Sequence, residues 1–487
     1  MANIKAITLT LLCLCLCAAN SLAEPQALSQ GPNQPAYQKV IPPDKLKEDL
    51  DFLFKTIEEV HPNMYAYTGK EDFNPLRRQL YRSINHPINR LEFYKLTAPV
   101  IASLKNGHTF MEPPSVDFQQ YTQKGGKFFR IGLHYDGENV TLSDYCGPLQ
   151  LSNGLEVLAI DSQNSKEFLV STAKYFAAEG KSHNLAIPQR KGWLPMFLWL
   201  EKGDVESVVL QVKTNEGDVK HYNIKAMSRD EVKDYQAQQD SKAESQTNSA
   251  SKPADKSYSY RYIQEYDTGL IEFNSFRGME QFKKFLKETF TNIRDQNVSS
   301  LIIDIRKNPG GSSSLGDELL KYLTDRPFRQ FEKVKIKLSR QLFETQSGLR
   351  MRYPSLAVGS IVTDEGRFKK PQDNPLRFEG RVFVLIGPNS ASSSVSFASA
   401  VKHFNIGTLI GQQTIDTTVN YGDCIRNELP NSGLYFSVAC KYFVEAGGKP
   451  DGRGLSPNYE VSQNPQDTAN DVDTVLQFTL NLIKDAT

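Results

Sequence analysis

The chain has 487 residues, 23% of them charged and 39% hydrophobic, with a formal net charge of +1. Such a length exceeds one ordinary hydrophobic core and predicts two or three domains. The near-neutral balance offers neither a basic excess for nucleic acid nor an acidic tail for a cationic partner, which argues against DNA or RNA binding.

The first segment reads as a leader. Lys5 precedes an apolar run over residues 6–19, and Ser21-Leu22-Ala23 forms a small-residue site before Glu24 and Pro25. A charged start, a short apolar stretch and such a site predict a cleaved secretory signal over 1–23, hence a periplasmic or secreted protein. The run is shorter than the roughly 20 residues a membrane span requires, so no integral span is expected in the mature chain. Leu16 stands before Cys17, where a lipid-attachment motif needs Gly or Ala. Outside the leader, three cysteines remain: Cys146, Cys424 and Cys440. Two readings stay open, a Cys424–Cys440 disulfide between consecutive strand-like segments or three buried thiols.

Residues 37–115 carry helical periodicity. Leu46, Leu50, Leu53, Phe54 and Ile57 repeat at three- and four-residue intervals, with Asp44 as the expected N-cap. Two further periodic stretches, 73–84 and 91–104, lead to the turn Lys105-Asn106-Gly107-His108. Over 118–228 the texture changes to short β-like runs such as 128–134, 157–160 and 208–212. The stretch 154–161, a turn glycine before an apolar strand, is similar to one found in PDZ domains and in many other half-buried strands. Residues 236–257 are polar and read as a flexible linker. From 258 to 487 strands alternate with helices, which predicts a mixed α/β core.

Two runs in this last region could carry chemistry. Leu301-Ile302-Ile303-Asp304-Ile305 leads into Arg306-Lys307-Asn308-Pro309-Gly310-Gly311, a strand running into a glycine turn and a helix. Glycines at such a turn let backbone N–H groups face an anion without obstruction from a Cβ. Taken alone, two glycines would describe an ordinary turn. The second run, 382–386, leads through Gly387-Pro388-Asn389-Ser390-Ala391 into Ser392-Ser393-Ser394 at the start of a helix, where a serine is exposed beside unpaired amides. Taken alone, these would be capping serines.

Together, the runs resemble the C-terminal-processing (tail-specific) serine protease family, in its tricorn-like branch. The resemblance extends over most of 260–462. It rests on 301–311, Ser390–Ser392, Gly411 to Thr414, the segment Leu429-Pro430-Asn431-Ser432-Gly433 and the closing Gly454-Leu455-Ser456-Pro457-Asn458, with Gly107-His108-Thr109 in the helical region. It implies a crotonase/ClpP-like α/β core joined to a helical bundle and a β-rich middle domain. It also implies a polypeptide substrate and Ser392 as nucleophile, with oxyanion donors from Gly310 or Gly311 and from Ser393. The tail-specific branch has a lysine base where Thr417 stands here, so the resemblance points to the tricorn-like relay. His108 would then be the base and Asp451 the acid, with Glu445 as the other acidic candidate. A histidine suits that work because its ordinary pKa, about 6.5, lies near working pH, and a carboxylate steadies its cation.

The remaining histidines carry ordinary expectations. His61 reads as a cap or packing residue, and His134, His183, His221 and His403 lack metal-binding spacing. No cofactor or metal is expected. The competing reading is a catalytically inactive peptide- or lipophilic-ligand-binding protein on the same fold.

Overall fold

The computed structural model describes residues 35–135, 138–180, 193–214, 216–244, 257–464, 467 and 472–485. The expected leader over 1–23 and His183 lie outside them. In the N-terminal region, helices Pro43–Val60, Lys70–Ser83 and Arg90–Ala102 occupy the periodic stretches. Leu46, Leu50, Leu53, Phe54 and Ile57 are fully buried, as an apolar stripe on one helix face requires. Asp44 lies inside the first turn rather than capping it, because the helix starts at Pro43, a residue with no N–H to satisfy there. His61 is the C-cap of this helix, and its Nδ1 accepts the Asn63 N–H at 3.0 Å.

The middle region is an antiparallel sheet in the order Ile131–Tyr135, Val140–Tyr145, Glu156–Ile160, Ser207–Lys213, Val219–Lys225. Helix Trp193–Lys202 serves two cores at once. Leu194 and Leu198 pack into the middle sheet, while Met196, Phe197, Trp199 and Leu200 enter the N-terminal cluster. Helix Arg229–Glu244 runs into the stretch expected as a linker over 236–257. Its Ala, Gln, Glu and Lys residues are good helix formers, which a reading based on polarity alone overlooks.

The C-terminal region is built on a sheet in the order Tyr258–Ile263, Thr268–Phe273, Ser300–Asp304, Arg381–Ile386, Thr408–Gly411, Tyr459–Glu460, parallel beyond its first pair. Alternate residues face opposite sides. Leu301 and Ile303 join the core containing Phe282, Leu319 and Phe397, whereas Ile302 packs with Phe383, Ile410 and Leu480. Helices therefore cover both faces of the sheet, as buried parallel strands need.

A second sheet runs Ile361–Glu365, Phe331–Lys337, Tyr435–Glu445, Val419–Glu428. The N-terminal strand Phe110–Met111 adds to it through Phe436↔Met111 and Ser437↔Phe110. Cys424 pairs opposite Ala439, which leaves Cys440 one residue out of step on the other face. Among the described residues no disulfide forms, and Cys146, Cys424 and Cys440 are present as thiols.

The two closing motifs are structural in place. Buried Asp49 of the first helix accepts the Asn431 and Ser432 N–H groups, each at 2.8 Å, which docks the segment 429–433 onto the N-terminal region. Asn458 and Leu409 exchange bonds of 2.7 and 2.9 Å, which attach the sheet's last strand.

Candidate active site

Strands Ser300–Asp304 and Arg381–Ile386 are parallel neighbours, so both of their following loops emerge at one edge of the sheet. In such sheets, ligand sites form beyond the carboxyl ends of the strands. Asn308 ties the two loops together. Its buried side chain accepts the Gly310 N–H at 2.9 Å and donates to the Phe273 carbonyl at 2.7 Å. Its own carbonyl accepts the Ala391 N–H at 3.1 Å and the Ser394 hydroxyl at 2.8 Å. Ser390 Oγ donates to the Ile305 carbonyl at 2.9 Å, which fixes the second loop on the first strand.

Ser392 caps helix Ser393–His403 with φ 52° and ψ −122°, a conformation that an L-residue reaches only under strain, on the order of 1–3 kcal/mol. Such a sharp strand-to-helix turn holds a hydroxyl out over the helix start. The turn is wedged from one side by Gly310, at φ 96°. A Cβ there would lie 2.7 Å from the Ala391 carbonyl and 2.8 Å from the Ser392 Cβ. From the other side, the Ser392 N–H donates to Asp416 Oδ2 at 2.7 Å. A bond to a carboxylate is worth about 1.5–3 kcal/mol, comparable to the strain it opposes.

The expected oxyanion donors separate into two kinds. The Gly310 N–H is engaged by Asn308 Oδ1. Among the described residues' hydrogen bonds, neither the Gly311 nor the Ser393 N–H is donated within the protein. These two amides flank Ser392, one from each loop, and Ser393 stands at a helix start where the dipole favours negative charge.

His108 comes from another region. It occupies the turn just before strand Phe110–Met111, whose pairing with Tyr435–Glu445 carries the histidine into the C-terminal region. One cleft is lined by His108, Ser392, Ser393, Ser396, Phe331, Asn420, Asp423, Phe443 and Glu445, among others. Two residues 284 positions apart in sequence thus meet in a single cavity.

The structure does not bring Asp451 into that cleft. It is exposed, and its Oδ1 accepts the Arg453 N–H at 2.9 Å within its own turn. Glu445 does line the cleft, but it is occupied with Ser396, whose hydroxyl donates to its Oε1 at 3.0 Å. Burial pushes the Glu445 carboxyl up to about 8, against the opposing pull of Ser396 and Asn420. Thr417, at the position of a lysine base, is buried and donates its hydroxyl to the Val419 carbonyl at 2.7 Å.

A carboxylate that no motif marks lies beside His108 instead. Glu179 follows the middle region's helix Ser165–Ala173 and is buried. It accepts the Gly107 N–H at 2.7 Å, the Tyr67 hydroxyl at 2.9 Å and the Tyr421 N–H at 3.0 Å. Burial pushes its pKa up to about 7, and the strongest force lowering it is the neighbouring His108. Its surroundings in sequence, Tyr175-Phe176-Ala177-Ala178-Glu179-Gly180, give one weak signal: a lone acid in an apolar stretch. Asp416, which directly precedes Thr417, is likewise marked by no motif.

His61 packs its ring 4.6 Å from that of Tyr421, and burial drives its pKa down to about 3, so it is a neutral packing residue. Among the described residues, no group of three or more His, Cys, Asp or Glu side chains could hold a metal ion, and no helix is long and apolar enough to cross a membrane.

The family model for peptidase family S41 matches residues 267–461. Among solved structures, the chain is similar to mature CPAF, with a TM-score of 0.62 and 14% identity over 88% of this chain and 94% of that one. It is also similar to mature CPAF complexed with lactacystin, with a TM-score of 0.60 and 13% identity over 91% of this chain and 98% of that one. At these identities the likeness speaks for the fold: an α/β core with helical and β-rich regions, shared along nearly the whole length.

Proposed function

From the premise that residues 267–461 belong to peptidase family S41, which makes the chain a serine-type peptidase, we propose that it cleaves polypeptides through Ser392, with His108 as base and Glu179 as the acid behind His108. The observation that carries this reading is the strained Ser392 turn, wedged against Gly310 and opening into the cleft that His108 lines.

In the proposed reaction, Ser392 Oγ attacks the scissile carbonyl carbon while His108 takes the hydroxyl proton. The oxyanion accepts from the Gly311 and Ser393 N–H groups. His108 then passes the proton to the leaving amine as the C–N bond breaks. A water, deprotonated by His108, attacks the acyl ester and releases the new carboxyl end. Glu179 stabilises the imidazolium and, through the Gly107 N–H, holds the turn that carries His108. The leader over 1–23 supports export to the periplasm or medium, where the mature chain would begin at Glu24.

The test is labelling with a fluorophosphonate, which esterifies only an activated serine. Wild-type protein should label and lose activity in step. Ser392→Ala should not label at all, and His108→Ala should label slowly, with activity reduced by about 10²–10⁴-fold. Equal labelling of wild type and Ser392→Ala would remove Ser392 as nucleophile. N-terminal sequencing of the extracellular or periplasmic form, with Glu24 expected first, tests export.

A further inference from the structure

Arg306 stands between strand Ser300–Asp304 and the glycine turn, and the proposed chemistry gives it no task. Its guanidinium grips two carboxylates at once. Nε and Nη2 donate to Asp304 Oδ1 and Oδ2 at 3.0 and 2.6 Å, while Nη1 and Nη2 donate to Asp473 Oδ1 and Oδ2 at 2.8 and 2.6 Å. Asp304 ends the strand, and Asp473 directly precedes the helix Thr474–Asp485. We infer that Arg306 is a positioning residue for the oxyanion site, and that helix Thr474–Asp485, gripped through Asp473, braces the loop whose Gly311 N–H receives the oxyanion.

The turn gives the guanidinium leverage. Arg306 and Lys307 are the central residues of a turn closed by the Asn308 N–H on the Ile305 carbonyl at 3.0 Å. Asp304 Oδ1 also accepts the Arg306 backbone N–H at 3.0 Å, so one carboxylate fixes both the main chain and the side chain of Arg306. Two residues on, Asn308 holds the Gly310 N–H and with it the approach to Gly311. On the neighbouring loop, a Cβ at Gly387 would lie 3.7 Å from Arg306 Cγ, so the arginine stem borders the start of the segment that leads to Ser392. A shift of Arg306 moves the base of both loops.

The helix is a firm anchor for this grip. Val475, Leu480 and Ile483 pack with Ile302, Phe383, Leu385 and Ile410 on one face of the main sheet. Asp473 Oδ1 accepts the Leu476 N–H at 3.0 Å, so the carboxylate that holds Arg306 also caps the helix. The far end is tied separately, where Arg381 donates to the Ile483 carbonyl at 3.1 Å. Arg381 opens the strand Arg381–Ile386, so the two ties are separated by about the length of a strand, roughly 17–20 Å. Only the near one touches the oxyanion turn. Arginine suits that place because its planar fork engages carboxylates in a fixed geometry, whereas a lysine offers a point charge on a flexible stem.

This inference rests on the peptidase reading of Ser392, and its test separates the two. Asp473→Asn keeps an oxygen to cap the helix but loses the charged fork. Arg381→Gln loosens the far end of the same helix and serves as the control. For each variant, Tm is recorded, and kcat and KM are measured on a fluorogenic peptide with competent enzyme counted by fluorophosphonate titration. Both variants should lower Tm. Only Asp473→Asn should lower kcat, by about 10-fold, less than the roughly 100-fold of a full 1 Å misplacement, with KM nearly unchanged because the loss falls on the transition state. Arg306→Lys should lower kcat in the same way, and it decides the matter if Asp473→Asn fails to fold. Wild-type kcat in either folded variant, or an equal loss of kcat in Arg381→Gln, overturns the inference. Absence of fluorophosphonate labelling in wild type would instead mark failure of the peptidase reading.

Discussion

The two halves of the site are built on different principles. Around Ser392, the contacts stay with one sheet: its parallel strands, the loops that follow them, and one buried asparagine that bonds two of those loops together. Around His108, nothing is local. Tyr67 and Gly107 come from loops of the N-terminal region, Glu179 from the middle region and Tyr421 from the C-terminal sheet, and one carboxylate joins all four segments. The first arrangement forms whenever that sheet folds. The second exists only when three regions have docked.

The sharpest way to break this contrast is at Gly310. Gly310→Ala should lower kcat about 1000-fold, at the upper end of oxyanion-site losses, because the new methyl displaces both Ser392 and the Ala391 carbonyl. Activity within a few-fold of wild type would show that the wedge is dispensable.

Glu179→Gln attacks the other half and should cost about 100-fold in kcat, within the range for general-base catalysis. Its signature is the pH profile. With its pKa near 7, the carboxylate gains its charge as pH rises through neutrality, so wild-type kcat should climb there. The Gln variant has no such proton, and its profile should keep only the limb set by His108, displaced from that of the wild type. An identical profile in both proteins would remove Glu179 from the relay and leave it a docking residue.

Asp416 sharpens the comparison, because it supports the strained serine from a third loop. Asp416→Ala should reduce kcat by about 10-fold with KM nearly unchanged, as one charge-assisted bond is lost. Asp416→Asn keeps an acceptor oxygen and should recover part of that loss. If both variants behave alike, the bond to the Ser392 N–H does not hold the nucleophile.

The smallest effect is on stability. The Glu445 carboxyl titrates near 8 when folded, above its ordinary 4.5. Between those values the unfolded chain has released the proton and the folded chain keeps it, so stability falls as pH rises from about 4.5 to about 8. Glu445→Gln removes that dependence, and its Tm should decline less over the same range. Parallel Tm curves would sink this assignment.

These differences also explain what the sequence could show. The Ser392 half was legible because its constraints are written next to one another: an apolar strand, then Asn308 and Gly310, and again a strand, then Ser390 and Ser392. His108 was legible only through its Gly-His-Thr turn. The carboxylate beside it was not, because selection for a buried carboxylate depends on what surrounds it in space. Asp451 holds a motif position yet turns toward its own backbone, while Glu179 has no motif and takes the buried place beside His108. The helices of 37–115 could be read from periodicity, since each has one apolar face. Helix Trp193–Lys202 has no polar face to reveal it, because two cores claim its two sides.

The Phe110–Met111 strand has a consequence for when the enzyme can act. Because that strand belongs to a sheet whose other members lie after residue 330, it can take its place only once the last third of the chain has emerged. His108 is made early and Ser392 late, and neither meets the other in a partly synthesised chain. A peptidase arranged this way stays silent during its own birth, and any truncation that removes the far sheet also withdraws the histidine.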